Sequence, residues 1–227
     1  MIYIVSFILS LLPAIALYLW LKNLKGMQEG HPEVCKKALI RGFLCVIPVV
    51  FLSATLHIGG NLLHFRDGDP ILYQVYYKFI VLAFAEELVK FLTFRRVIRN
   101  RDFSWLELTI YMVIVGIGFE IIESIPYMIG SGPIHFLVRG LTLMHAAFGF
   151  VMGYFYGKSV HTGKKHFAVI GFLLSFLMHG LYDFTLSDEL IALSDAVAII
   201  PVSLAAFSVV LIVMLIRFVV KRRRELA

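Results

Sequence analysis

Seven apolar runs, near residues 2–21, 40–58, 71–94, 105–129, 134–157, 167–186 and 195–216, are each long enough to cross a lipid bilayer. A chain divided this way has few folds open to it. Hydrocarbon offers no partner for backbone N–H and C=O groups, so each spanning segment must satisfy its own, as a helix does. Composition agrees: 60% of the 227 residues are hydrophobic and only 16% are charged, far from the usual soluble mix. We expect an all-α, polytopic integral membrane protein of about seven transmembrane helices. The longest connection, roughly residues 22–38, is too short for a soluble domain. The chain is therefore expected to form one transmembrane helical domain over 1–227, with its chemistry among the helices.

Charge placement predicts the orientation. The first run lacks a basic leader, and Lys22 and Lys25 follow it, so it is expected to stay as a span with the N-terminus outside. Most of the 21 basic residues then fall in alternate connections: Lys22, Lys25, Lys36, Lys37 and Arg41; Arg95, Arg96, Arg99 and Arg101; Lys158, Lys164 and Lys165; and the C-terminal segment from Arg217 to Arg224. By the positive-inside rule these connections and the C-terminus are cytoplasmic. The opposite loops hold Arg66 with Asp67 and Asp69, and later Asp188, Glu189 and Asp195. The net charge of +6 thus follows from topology, and "KRRRE" at 221–225 is expected to anchor on anionic lipid. The bilayer is the expected partner, and nucleic acid is not. Cys35 and Cys45 suggest neither a disulfide nor a metal knuckle.

Ionisable groups inside spans are costly and mark function by default. Here they are Glu86, Glu87 and Lys90 in the third run, Glu120 and Glu123 in the fourth, His145 in the fifth, and His179 with Asp183 in the sixth. Their depths agree. "DGDPILYQVYY" (67–77) starts a helix with Asp69 as N-cap and Pro70 at the first position, and Tyr73, Tyr76 and Tyr77 are expected to form an outer aromatic belt. Glu86 lies about 13 Å inward from Tyr77 at helical rise. The fourth run opens with the capping box "SWLE" (104–107) and leaves the membrane near Pro126 and Tyr127. Glu120 and Glu123 then sit about 6–10 Å below the belt. His145, counted from Arg139, and His179 fall at about the same level. All lie in the outer half of the bilayer.

Spacing adds detail. Glu86 and Lys90 are four residues apart and share a face, as do Phe119 with Glu123 and His179 with Asp183. His145, Gly149, Gly153 and Gly157 form one stripe that lets a neighbouring helix approach closely. An ion pair with Lys90 could neutralise one acid of the Glu86–Glu87 pair. It does not account for two acids in lipid, and a general base that deprotonates water does. Glu123 is preferred over Glu120, which could be a bystander in a polar cavity. His57, His64, His135, His161 and His166 lie at span ends or in loops and are expected to be structural.

Four blocks, "EELVK" (86–90), "GFEIIESIPYMIG" (118–130), "HAAFGFVMGYFYGK" (145–158) and "HGLYDF" (179–184), resemble the PrsW intramembrane proteases in order and spacing, over a motif-bearing core of about 71–186. The family's EExxK motif falls on Glu86, Glu87 and Lys90, its FxxxE on Phe119 and Glu123, its His-rich block on His145, and its HxxxD on His179 and Asp183. Ser124 stands where many relatives have Asn. The wider superfamily includes CAAX-prenyl endopeptidases and bacteriocin-processing enzymes. The resemblance implies site-1 cleavage, near the extracytoplasmic side, of a single-span membrane protein such as an anti-sigma factor, in a stress response of a bacterial cell membrane. Glu86, with or without Glu87, would activate water and Glu123 would position it. His179, oriented by Asp183, and His145 would stabilise the oxyanion or protonate the leaving amine, and Lys90 would tune the pair. A metal version places Zn²⁺ on some of Glu123, His145 and His179. The rivals are a CAAX-type endopeptidase, a proton- or cation-coupled transporter, which would need an aqueous path to both faces, and a non-catalytic scaffold.

Overall fold

A computed structural model describes residues 2–99, 101–130, 140–191 and 199–226, and no strand occurs among them. The helices are α1 (Ile2–Lys22), α2 (His31–Leu44), α3 (Val46–Leu62), α4 (Pro70–Val75), a π-helical segment (Tyr76–Phe84), α5 (Ala85–Val97), α6 (Trp105–Gly130), α7 (Met144–Thr162), α8 (His166–Thr185), α9 (Asp188–Ile191) and α10 (Ile199–Leu226). The molecule is an all-α, multi-pass membrane protein. Four described segments are long and apolar enough to cross a membrane, His31–Leu62, Trp105–Ile125, His166–Thr185 and Ile199–Glu225, and Ile8–Lys22 is a shorter apolar helix. Arg139, His135 and Asp195, and the side chains of Pro126, Tyr127 and Asp188, lie outside the described residues.

The helix α6 is the hub. Its apolar window is 78% buried, against 17–28% for the other three long segments. Ile110, Tyr111, Met112, Val113, Ile114, Val115 and Ile117 are all fully enclosed, a helix apolar on every side that other helices must surround. The glycine stripe of α7 docks on it as the spacing predicts. A methyl on Gly149 would press on Met112 and Val113, one on Gly153 on Thr109 and Met112, and one on Gly157 on Trp105. The outer helices turn their apolar faces outward, with Phe51 72%, Leu62 75% and Val202 69% exposed. Such a surface suits lipid and not water.

Both predicted helix starts are present. Asp69 accepts hydrogen bonds from the backbone N–H groups of Ile71 and Leu72. Ser104 and Glu107 cap each other reciprocally, and Glu107 also accepts from the Gln28 N–H at 3.1 Å. Two stretches differ from expectation. Residues 31–38, expected as loop, begin α2: the helix buries His31, Val34, Cys35 and Ala38 and exposes its charged face, so its amphipathic pattern hides from a search for continuous apolar runs. The run 71–94 is not one uniform helix but passes through nine π-helical residues before the glutamate pair. Their i→i+5 bonding re-phases α5 relative to α4, a device common at functional sites. Tyr76 is tied to neighbouring elements. Its hydroxyl donates to the Leu56 carbonyl at 2.6 Å and its ring stacks on Phe65 at 4.7 Å.

At one end of the fold, Arg101 donates to the Glu29 carbonyl at 2.7 Å, Trp105 lies 5.8 Å from the His161 ring, and Arg222 sits 4.6 Å over Trp105. The basic connections assigned to one side of the membrane thus converge at one end.

Candidate active site

Toward the far end of α6, four elements deliver polar side chains to one buried centre. The first turn of α5 brings Glu86 and Glu87, 7% and 1% exposed, and its next turn brings Lys90, 1% exposed. The helix α6 brings Phe119 and Glu123, α7 brings His145 from its first turn, and α8 brings His179 and Asp183. An ammonium this deeply buried must be paired. Lys90 Nζ lies 2.5 Å from Glu87 Oε1, 3.8 Å from Glu86 Oε2 and 2.9 Å from His145 Nδ1, and 4.5 Å above the Phe119 ring. The stronger ion pair is therefore with Glu87, three residues away, and not with Glu86, which shares its face at four. Phe119 supplies a cation–π floor and also meets the His145 ring at 5.0 Å.

Hydrogen bonds orient both imidazoles. His179 Nδ1 donates to Glu87 Oε1 at 2.9 Å, which turns Nε2 toward Glu86 Oε2 at 3.7 Å and Asp183 Oδ2 at 3.5 Å. His145 Nδ1 accepts from Lys90, so its Nε2–H donates to Glu123 Oε2 at 2.5 Å. The two rings meet at 5.1 Å. Glu87 is thus committed to Lys90 and His179. Glu86 Oε2 is buried with no hydrogen-bond partner. Leaving such an acceptor unmet costs about 1–3 kcal/mol, and more for a charged group. That cost makes it the natural seat for a water or an ion.

Glu86, Glu87, Lys90, Phe119, Glu123, His145, His179 and Asp183, all singled out in the sequence, meet in this constellation. Glu120 is buried on the same helix, but the polar contacts that tie the centre together run through Glu123. Ser124, the departure from the motif, donates to the Glu120 carbonyl at 2.7 Å. Two features had no sequence signal. A methyl on Gly116 would run into the His145 carbonyl oxygen, so only glycine lets α7 bring its histidine this close to α6. Leu143, two residues before His145, has a left-handed backbone (φ 49°, ψ 45°), strained for a branched-chain residue.

In the metal version, Zn²⁺ was expected on some of Glu123, His145 and His179. The geometry groups Glu86 with His145 and His179, with one donor atom from each within 4.8 Å of the others. Two imidazole nitrogens and a carboxylate oxygen form a donor set that Zn²⁺ accepts. The Glu86 oxygen that lacks a hydrogen bond, and the His179 Nε2 turned toward it, fit such an ion. His145 fits once its Nδ1 exchanges the Lys90 contact for another, because a neutral imidazole offers one lone pair.

A family profile described as "PrsW family intramembrane metalloprotease" matches residues 31–218. The chain is 32% identical over 156 residues to Protease PrsW of Oceanobacillus iheyensis, covering 66% of this chain and 68% of that one. It is 28% identical over 187 residues to Protease PrsW of Bacillus subtilis (77% and 79% covered) and 30% over 185 residues to that of Halalkalibacterium halodurans (77% and 80%). No solved structure matches.

Proposed function

Since the chain belongs to the PrsW family and is an intramembrane endopeptidase, we propose that it hydrolyses a peptide bond of a single-span membrane protein near the extracytoplasmic side, with Glu86 as the group that activates water. The observation that carries this is the buried Glu86 oxygen, unpartnered beside two oriented histidines. Water bound there gives its proton to Glu86 as its oxygen attacks the scissile carbonyl carbon. His179, held through Nδ1 by Glu87, then takes that proton from Glu86 on Nε2 and passes it to the departing amine. The Nε2–H of His145, released from Glu123, donates to the oxyanion. Lys90 holds Glu87 in place. Glu123 and Asp183, whose side chains are 18% and 22% exposed, are more open than the rest, and between them the substrate strand enters.

The metal that the family description implies would be held by Glu86, His145 and His179. Bound there, it would polarise the carbonyl and acidify a coordinated water. The anti-sigma factor class of substrate rests on the resemblance of the four motif blocks to the family, and the extracytoplasmic placement on loop charge.

The test is cleavage of candidate single-span substrates by purified protein in detergent. The wild type should cut, and the Glu86→Gln/Glu87→Gln double variant should not. Full proteolysis by the double variant would overturn the glutamate assignment. Activity that survives exhaustive chelation, with no metal retained by mass spectrometry, would remove the ion and leave Glu86 as base.

A further inference from the structure

At the end of the fold away from the carboxylate centre, where α5 stops and α6 begins, lies a cavity of about 520 Å³. Its wall is basic and aromatic. Arg95, Arg99 and Arg101 line it with Phe103, Tyr156 and Val160. The Arg95 guanidinium lies 5.9 Å over the Tyr156 ring and that of Arg101 5.1 Å over Phe103, within cation–π reach. The hydrogen bond from Arg101 to the Glu29 carbonyl fixes it further. Asp102 lines the same cavity without an ion pair to any of the three among the described residues, and Arg95 and Arg99 have none either. An ordinary fringe of charge at a helix end stretches into water and encloses no space. Here three exposed arginines line one cavity, two of them over aromatic rings, and guanidinium groups take phosphate oxygens in forked pairs.

The cavity also opens onto the apolar flank of the protein. Val160 at its edge is 55% exposed, and Leu92, one turn before Arg95 on α5, is 49% exposed. The change on α5 from apolar residues to Arg95 and Arg96 marks the membrane–water boundary. We propose that this cavity is a binding site for an anionic phospholipid, its phosphate held by Arg95, Arg99 and Arg101 and its acyl chains lying along the outward faces of α5 and α7. Arg95 is nine residues from Glu86 on the same helix, about 13 Å along the axis. A lipid seated here pins the depth of the helix that carries Glu86, Glu87 and Lys90.

The experiment is a titration of the full-length protein in detergent with phosphatidylglycerol or phosphatidylcholine, read by native mass spectrometry and by thermal unfolding, since a ligand of the folded state raises its melting temperature. Phosphatidylglycerol should be retained and should stabilise the protein, and phosphatidylcholine should do neither. The Arg95→Gln/Arg99→Gln/Arg101→Gln variant should bind roughly a hundredfold more weakly, the loss expected of three arginines at a charged surface. The charge-matched Lys25→Gln/Lys164→Gln/Lys165→Gln variant should bind like wild type. Val160→Trp, which narrows the mouth and leaves charge unchanged, should also weaken binding and covers the case in which the arginine variant misfolds. Equal losses in the two charge variants, or normal binding by Val160→Trp, would overturn the site. Equal stabilisation by millimolar inorganic phosphate would overturn the lipid assignment in favour of a free anion.

Discussion

Two buried polar clusters flank α6, and they are built on opposite terms. Near its start, His31, Tyr111 and Glu107 are 2%, 0% and 1% exposed. His31 uses both nitrogens, on the Leu21 carbonyl at 2.9 Å and the Tyr111 hydroxyl at 3.0 Å, and Glu107 spends its oxygens on Ser104 and Gln28. Near its far end, Glu86 and Glu87 are buried as deeply, yet each keeps an oxygen with no hydrogen-bond partner. Burial alone does not separate the two clusters; satisfaction does. A filled network stiffens the fold, whereas a partly open one holds reactivity ready at a cost in stability. Glu107 joins two chain segments, and Glu86 waits for a third party.

Variants can break or sharpen this contrast. The largest expected effect is on rate. Glu86→Gln should slow cleavage by about 10²–10⁴-fold, the usual contribution of a general base, with the melting temperature nearly unchanged. Glu107→Gln should do the reverse, losing stability while each folded molecule cuts normally. Cleavage assays paired with thermal unfolding read both, and a stable, fully active Glu86→Gln would erase the distinction. Next in size, Glu87→Leu strands Lys90 and should cost about 3–5 kcal/mol, the penalty of a broken buried pair. Adding Lys90→Met should return most of the stability in denaturant titrations but none of the activity, because His179 stays unoriented.

Gly116→Ala comes third. The added methyl forces α7 away at His145 and should cost about 1–3 kcal/mol, as overpacking does, with cleavage falling in parallel. The smallest effect is expected at the satisfied cluster. Tyr111→Phe removes one hydrogen bond to His31, worth about 1 kcal/mol, and should leave turnover of the folded protein unchanged.

Much of the candidate constellation was legible in the chain because an acid or histidine inside an apolar run is costly and must find partners. Glu86, Glu87, Glu123, His145, His179 and Asp183 stood out for that reason, and helical spacing placed Lys90 and Phe119 with them. The pairings were not legible. Glu86 and Lys90 share a face at four residues, yet Lys90 bonds Glu87, because side-chain reach and the position of His145 decide among near-equal spacings. The π-helical stretch was hidden as well, since any apolar sequence satisfies either bonding pattern and neighbouring packing chooses. So were α2, whose polar face interrupts its apolar one, and the His31 network, whose partners come from α1 and α6.

By itself the sequence determined that this protein is a bundle of membrane helices with acids and imidazoles at a common depth, for hydrocarbon forces the first and a misplaced charge announces the second. The tertiary structure alone decided which carboxylate is spent and which is open. Glu86 and Glu87 are adjacent and identical in chemistry. Only the positions of Lys90, His145 and His179, brought in by three different helices, make Glu87 the strut between Lys90 and His179 and leave Glu86 3.7–3.8 Å from both.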